Sequence, residues 1–356
     1  MTERPSLAEV IDLQIRENGP MSIATYMGLA LTYPRGGYYT AADPLGTKGD
    51  FVTAPEISQM FGELIGFFIV NTWQQMSEPK SFTLLELGPG RGTLMQDALR
   101  VAARAEGFLD ACHLQLFETN AGLRAQQAER LAPYHPYWSD EIDLVAEDPL
   151  IVVANEFFDA LPIRQFVRGQ KGWHERQVGL IDGKRAFGLS PTPLPSSTLP
   201  PAIADCPEGS VYEVSLAAQD AMARLAKRIA DQRGALLAID YGYAETQPGE
   251  TLQAVSRHAY ADPLAAPGEI DLSAHVDFGA LREVAEKAGL GTAFTTQRDF
   301  LGRLGIVERA TALARANPGE LDNLTVALKR LTDPSEMGTL FKVFCAWHGN
   351  LEPLGF

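Results

Sequence analysis

The chain is short of cysteine, of basic residues and of long apolar runs, and each shortage closes a class of explanation. Its three cysteines, Cys112, Cys206 and Cys345, lie far apart, odd in number and without a CxxC pair. That fits a reducing compartment better than a disulfide framework and offers no zinc-finger spacing. Lys and Arg total 30 against 45 Asp and Glu, a net charge of −15. The Lys/Arg surplus that phosphate contacts need is missing, so a nucleic-acid partner is not expected. An acidic balance suits a soluble protein and, weakly, a cationic substrate. The longest apolar run, Leu64 to Val70, is far below the ~20 residues of a membrane helix. The opening residues MTERPSLAEV show neither a signal-peptide nor a transit-peptide pattern. A soluble cytoplasmic protein, complete as given and not inserted in a membrane, is expected. No His/Cys/Asp cluster has metal-ligand spacing and no Gly-x-Ser-x-Gly elbow occurs, which argues against a metal centre or a serine hydrolase.

What is present is an ordinary globular composition, 46% hydrophobic and 21% charged, in 356 residues, room for one enlarged domain or two modest ones. Ser6 and Ser22 open two helical patterns, closed by Gly19-Pro20 and Pro34. A long stretch rich in Gly, Pro, Tyr and Thr follows, Pro34 to Glu56, which reads as a lid or binding loop. Helical spacing returns over Ser58 to Gln75. Short apolar strands and helices then alternate: Phe82–Leu87, Leu114–Phe117, Leu150–Ala154 and Ala235–Ile239 predict a parallel sheet covered on both faces. The roughly eighty residues before Ala235 exceed one crossover. A hairpin over Ile163–Ile181 and an extended linker over Pro191–Pro201 are expected there. Helices are predicted over Val276–Ala288, Asp299–Ala316 and Glu320–Leu331, and strands over Gly291–Thr296 and Leu340–Trp347. The fold class is a doubly wound α/β sheet finishing with a strand pair.

The segment Leu84 to Leu94, LLELGPGRGTL, carries the clearest chemistry. A buried strand runs into a turn with Gly88, Gly90 and Gly92, and a helix opens at Thr93. Glycines there let the backbone bend tightly and a ligand approach without meeting a Cβ atom, beside the open N–H groups of a helix start. A phosphate-binding loop would need Gly-Lys-Ser/Thr, and the dinucleotide pattern fails because Thr93 replaces its third glycine. What remains is the E/D-x-G-x-G-x-G turn of S-adenosylmethionine-dependent methyltransferases, matched by Glu86, Gly88, Gly90 and Gly92. Glu118, closing the next strand, stands where an acid accepts from the two ribose hydroxyls. The bland alternative is a tight turn followed by an exposed acid.

A second motif, Asn155 to Pro162 (NEFFDALP), follows the buried strand Leu150–Ala154 and is expected at the reactive end of the cofactor. It looks like a variant of the Asn/Asp-Pro-Pro-Tyr/Phe loop of nitrogen methyltransferases, with Glu156 and Phe157 in place of the prolines. Glu156 and Asp159 could clamp a guanidinium from two sides, which a lysine would not need. Against this stands Asp159 as a helix cap and Glu156 as a surface acid. Asp240 ends the next strand on the same side, with a simple Asp-x-Gly turn as the alternative. Asp271–Phe278 reads as a helix start capped by Ser273, and His275 could face the site or be structural.

With these residues in view, the chain resembles the MidA-like family of S-adenosylmethionine-dependent methyltransferases. The likeness runs through Gly36–Tyr39, Gly49–Glu63, Glu86–Thr93, Asn155–Pro162, Asp240–Gly242, Ala274–Phe278 and Leu340–Val343. The Gly49–Gly62 stretch is the most specific part, since no generic cofactor motif requires it. The resemblance implies a class I, Rossmann-like methyltransferase sheet over 81–356, with insertions near 163–215 and 298–338, and an added N-terminal helical region over 1–80. It also implies symmetric dimethylation of an arginine in the 49-kDa-type subunit of NADH:quinone oxidoreductase, in support of complex I assembly. On this reading Glu86, Gly88, Gly90, Gly92, Glu118 and Asn155 hold the cofactor, and Glu156, Asp159, Asn155 and Asp240 act in catalysis. Tyr38, Tyr39, Phe51, Thr53, Ser58 and His275 form the lid and substrate side. A noncatalytic assembly chaperone that keeps the pocket, or a small-molecule N-methyltransferase, are the alternatives.

Overall fold

The computed structural model describes residues 5–40, 53–142, 147–256 and 259–356. Contacts divide the chain into two compact, discontinuous units. The first takes Met1–Phe51, Phe158–Asp220 and Glu245–Ala280, the second Val52–Phe157, Ala221–Ala244 and Leu281–Phe356.

The second unit is built on a sheet with strands β1 (Phe82–Leu87), β2 (Cys112–Phe117), β3 (Tyr137–Ser139), β4 (Leu150–Asn155), β5 (Gly234–Tyr243), β6 (Gly291–Thr296) and β7 (Phe341–Trp347). Their order is β6-β7-β5-β4-β1-β2-β3. The strands from β5 through β3 are parallel, while β7 runs antiparallel between β5 and β6. This is the α/β sheet expected from the apolar strands, ending in the expected strand pair. Every residue of β1 is buried, which is why its sequence is nearly continuous in apolar residues rather than alternating.

Helices α1 (Ala54–Ile57), α2 (Gln59–Gln75), α3 (Thr93–Ala102) and α4 (Ala121–Arg130) supply the rest of the site's frame. Phe61, Leu64, Ile65 and Phe68 of α2 pack into the same core as Leu84, Met95 and Ile151. Glu63, on that buried face, is fully enclosed. Arg100 Nη1 donates to its Oε1 at 2.8 Å, and Arg309 Nη2 to the same oxygen at 2.7 Å. Burial alone would raise its pKa, but the two guanidiniums more than offset that and hold it below the ordinary carboxylate value.

The first unit has its own core, formed by Ile11, Ile23, Met27 and Leu31 of two N-terminal helices with Val178, Leu272 and Ala274. The expected hairpin is present: Arg164–Gly169 pairs antiparallel with Gly172–Ile181. Three local expectations are corrected. Pro191–Leu194 belongs to the strand Lys184–Leu194, not to a linker, with Pro193 opposite His174; proline is tolerated on a strand that pairs along one side. Asp271–Ser273 is a strand paired with Gln253–Val255. The helix there starts at Phe278, and Asp277 rather than Ser273 caps it, accepting from Ala280 N at 3.0 Å. In the second unit, the expected Asp299–Ala316 helix is two, Gln297–Arg303 and Ile306–Ala316, separated at Gly305, whose φ of 87° no helix interior accommodates.

Candidate functional site

The parallel registers put Leu87 opposite both Phe117 and Ala154, and Asn155 opposite Ile239. Gly88, Glu118, Glu156 and Asp240 therefore lie at the carboxyl ends of four adjacent strands, the edge where open α/β sheets bind ligands. Backbone bonds lace that edge: Gly88 N donates to Phe117 O at 3.1 Å, and Glu156 N to Ile239 O at 2.9 Å.

Gly88, Gly90 and Gly92 all adopt left-handed φ values, 62°, 54° and 78°, a conformation that costs other residues about 1–2 kcal/mol. A Cβ on Gly88 would stand 3.3 Å from the Phe157 ring. Gly92 sits at the N-cap of α3 without a side-chain cap bond, so the helix start keeps N–H groups that a ligand can use.

Two buried acids flank this turn. Glu118 is 8% exposed; its Oε1 accepts from Asn120 N at 2.8 Å and its Oε2 from Gln127 Nε2 at 3.2 Å. Burial raises its pKa, opposed by those donors. Glu86, at the end of β1, is 2% exposed and its Oε2 has no hydrogen-bond partner among the described residues. Burial and then the nearby Glu118 push it up to about 8. An orphaned buried carboxylate oxygen beside a glycine cradle fits a ligand with hydrogen-bond donors and positive charge, such as an amino acid joined to a nucleoside.

At the end of β4, Asn155 Nδ2 donates to Glu156 Oε1 at 3.1 Å, while the buried Asn155 Oδ1 has no partner among the described residues. Glu156 is left-handed, φ 52°, a conformation uncommon for a non-glycine residue. Its Oε1 also accepts from Ala54 N at 3.3 Å. Two residues on, Glu56 Oε1 accepts from Thr93 Oγ1 at 2.5 Å, and Arg130 also donates to that hydroxyl. The short helix α1, which follows the Gly49–Val52 stretch, is thus bonded to both the glycine-turn helix and the Asn155–Glu156 loop. Asp240 is buried, with Tyr241 N donating to its Oδ1 at 3.0 Å.

The remaining expected residues fall elsewhere. Thr53 is the N-cap residue of α1 without a side-chain cap bond, and the Ser58 hydroxyl caps α2, accepting from Met60 N at 3.2 Å. Phe51 lies outside the described residues. Tyr38, Tyr39, Asp159 and His275 belong to the first unit. There Tyr39 Oη donates to Asp271 Oδ1 at 3.0 Å, and the Asp159 carbonyl accepts from Ala274 N at 3.0 Å. His275 N donates to Thr251 Oγ1 at 2.9 Å, and both residues line a cavity of about 370 Å³ within that unit, with Gln253 and Tyr260. Among the described residues no group of three or more His, Cys, Asp or Glu could hold a metal ion, and no helix is long and apolar enough to cross a membrane.

Sequence reasoning missed Gln127, Trp138 and Glu56. Only Gln127 left a signal: it falls on the buried stripe of α4, four residues after Leu123, where an apolar side chain would be ordinary.

Residues 64–296 match the family of S-adenosyl-L-methionine-dependent methyltransferases. The chain is 37% identical to a zebrafish (Danio rerio) protein named protein arginine methyltransferase NDUFAF7, mitochondrial, over 95% of this chain and 86% of that one. It is 33% identical to the Homo sapiens protein of the same name, over 93% and 81%. A crystal structure from Burkholderia thailandensis with S-adenosyl-homocysteine bound matches with a TM-score of 0.84 and 28% identity, covering 98% of this chain and 93% of that one. The cytoplasmic placement expected above is corrected by these relatives, which are named mitochondrial. Composition near a chain's start speaks to a leader peptide and holds no physical signal for the compartment in which a protein works.

Proposed function

The chain belongs to the family of S-adenosyl-L-methionine-dependent methyltransferases, with S-adenosyl-L-methionine as cofactor, and from that premise we propose that it methylates a guanidinium nitrogen of an arginine in a protein. The substrate we assign is the 49-kDa-type subunit of NADH:quinone oxidoreductase, the product a symmetric dimethylarginine, and the role support of complex I assembly. The relatives named protein arginine methyltransferases support this reading. The observation that carries it is Glu156: a left-handed carboxylate, beside Asn155, at the sheet edge that also bears the glycine turn.

The bound cofactor supplies an electrophilic methyl group. Every other requirement falls on the chain. Glu86, Gly88, Gly90, Gly92 and Glu118 would hold the cofactor, with Glu118 accepting from the ribose hydroxyls and Asn155 Oδ1 open to a donor. An arginine is cationic at any physiological pH, so a carboxylate must draw its charge toward one nitrogen and leave electron density on the other. Glu156 does this in our reading, and Asp240 takes the proton released after transfer. In-line geometry then accounts for much of the rate.

The test is incubation of the purified protein with methyl-labelled S-adenosylmethionine and the isolated subunit, followed by peptide mass spectrometry. Label on arginine as symmetric dimethylarginine, lost in Glu156→Gln while cofactor affinity persists, is the expected result. Label confined to another residue type, or normal turnover by Glu156→Gln, would overturn the assignment.

A further inference from the structure

Gln127, on α4, is fully buried, and its amide makes three hydrogen bonds to groups distant in sequence. Nε2 donates to Gly90 O at 2.7 Å and to Glu118 Oε2 at 3.2 Å, while Oε1 accepts from Trp138 Nε1 at 2.7 Å. An indole N–H can only donate, so it must face the amide oxygen. That removes the two-fold ambiguity of an amide and turns both N–H donors toward the glycine turn and the acid. All four residues lie in the second unit.

We propose that Gln127 is a positioning residue for the cofactor: oriented by Trp138, it locks the carbonyl of the middle glycine and the Glu118 carboxylate into one rigid frame. This rests on the reading of Glu118 as the ribose acceptor. The physical reason is the shape of the task. A vicinal diol offers two O–H donors at fixed separation, so a carboxylate serves both only in one rotation about its Cγ–Cδ bond. Asn120 N holds one oxygen and Gln127 Nε2 the other, which fixes that rotation and leaves further lone pairs for the diol. Through Gly90 O the same amide sets the distance from this carboxylate to the turn. A hydrophobic residue at this place could fill the space without fixing either.

A merely structural glutamine would affect all ligands alike, so the test reads a ratio. Binding of S-adenosylhomocysteine and of its 2′-deoxy analogue is measured by calorimetry on wild type, Gln127→Leu, Trp138→Phe and Glu118→Gln. Wild type is expected to prefer the hydroxylated ligand by about tenfold or more, the worth of one charge-assisted hydrogen bond. Gln127→Leu should erase most of that preference, Trp138→Phe part of it, and the pair Gln127→Leu with Glu118→Gln should be no worse in ratio than Glu118→Gln alone. Should Gln127→Leu fail to fold, Trp138→Phe, which keeps an aromatic ring and removes one donor, decides the matter. An unchanged ratio in a folded Gln127 variant, with the ratio lost in Glu118→Gln, overturns the positioning role alone. An unchanged ratio in Glu118→Gln overturns the ribose reading and takes the proposal with it.

Discussion

The glycine turn and the Asn155–Glu156 loop leave strands of one sheet at the same edge, yet they are held by opposite means. The turn places glycine at every left-handed position, and Glu118, one of its two acids, is satisfied from both sides by Asn120 and Gln127. The loop holds a glutamate in the left-handed region, and the buried Asn155 Oδ1 has no partner among the described residues. The backbone of the first region is relaxed, and the acceptor it leaves open belongs to its other acid, Glu86. The second carries backbone strain at Glu156, which on our reading is kept for chemistry rather than stability. On our reading the difference separates binding from turnover, and each variant below pulls the two apart or shows them to be one.

The largest effect is expected at Glu156. Replacing a positioned charge that acts on the reacting group typically costs ~10²–10³ in rate, so Glu156→Gln should lose turnover on that scale while calorimetric affinity for S-adenosylmethionine changes little. The strain itself can be read from Glu156→Gly against Glu156→Ala. With φ at 52°, glycine escapes about 1 kcal/mol or more that alanine must bear, so the glycine variant should have the higher Tm, though both are inactive. Equal melting temperatures would remove strain from the comparison.

Gly88→Val probes the relaxed side. The new Cβ meets Phe157 at 3.3 Å and the backbone sits at φ 62°, an unfavourable place for a β-branched residue. Cofactor affinity should fall about 100-fold, a loss of about 2.7 kcal/mol. A variant that binds normally would mean that the turn is not the cradle.

A pH series comes next. Glu86 is raised to about 8 by burial and then by Glu118, while in the unfolded chain it returns to its ordinary value near 4.5. Because the folded state binds the proton more tightly, its contribution to stability is full below about 4.5 and is lost as pH rises toward about 8. Glu118 shifts in the same direction. The ligand-free protein should melt lower at pH 8 than at pH 5, and Glu86→Gln should flatten that slope. A slope that survives the substitution would place the titrating group elsewhere.

How much of this was legible beforehand follows from the range of the interactions. The glycine turn is a local device, so its spacing exposed it, and Glu118 followed from its place at the next strand end. Apolar strands such as Leu150–Ala154 announced the parallel sheet because burial on both faces leaves no polar residue to confuse the pattern. Asp271–Ser273 was misread because Ser273 before a helical pattern looks like a cap, whereas its strand pairing comes from Gln253–Val255, which no local signal discloses. Gln127 did leave a trace, a polar side chain on the buried stripe of α4, but its partners Gly90 and Trp138 stand 37 and 11 residues away. The distinctive Gly49–Glu63 stretch held two functions in one motif. Glu63 is a buried anchor for Arg100 and Arg309, while Glu56 and Ala54 tie to the site.

The smallest expected effect tests whether the two regions communicate. Helix α1 is bonded to both: Glu56 accepts from Thr93 at the start of α3, and Ala54 N donates to Glu156. Thr93→Val removes two hydrogen bonds, the one given to Glu56 and the one accepted from Arg130, each worth about 1 kcal/mol, and touches neither Glu156 nor the glycines' φ angles. If α1 transmits the position of the turn to the loop, Thr93→Val should slow turnover a few-fold with almost no change in cofactor affinity. That loss should also vanish in a Glu156→Gln background, where the positioned carboxylate no longer exists. Residues joined through a shared contact couple by ~0.5 kcal/mol or more, whereas independent ones add. Strict additivity would therefore make the relaxed turn and the strained loop separate devices on one sheet edge. Coupling would make the residues after Val52 the link through which cofactor binding readies the glutamate.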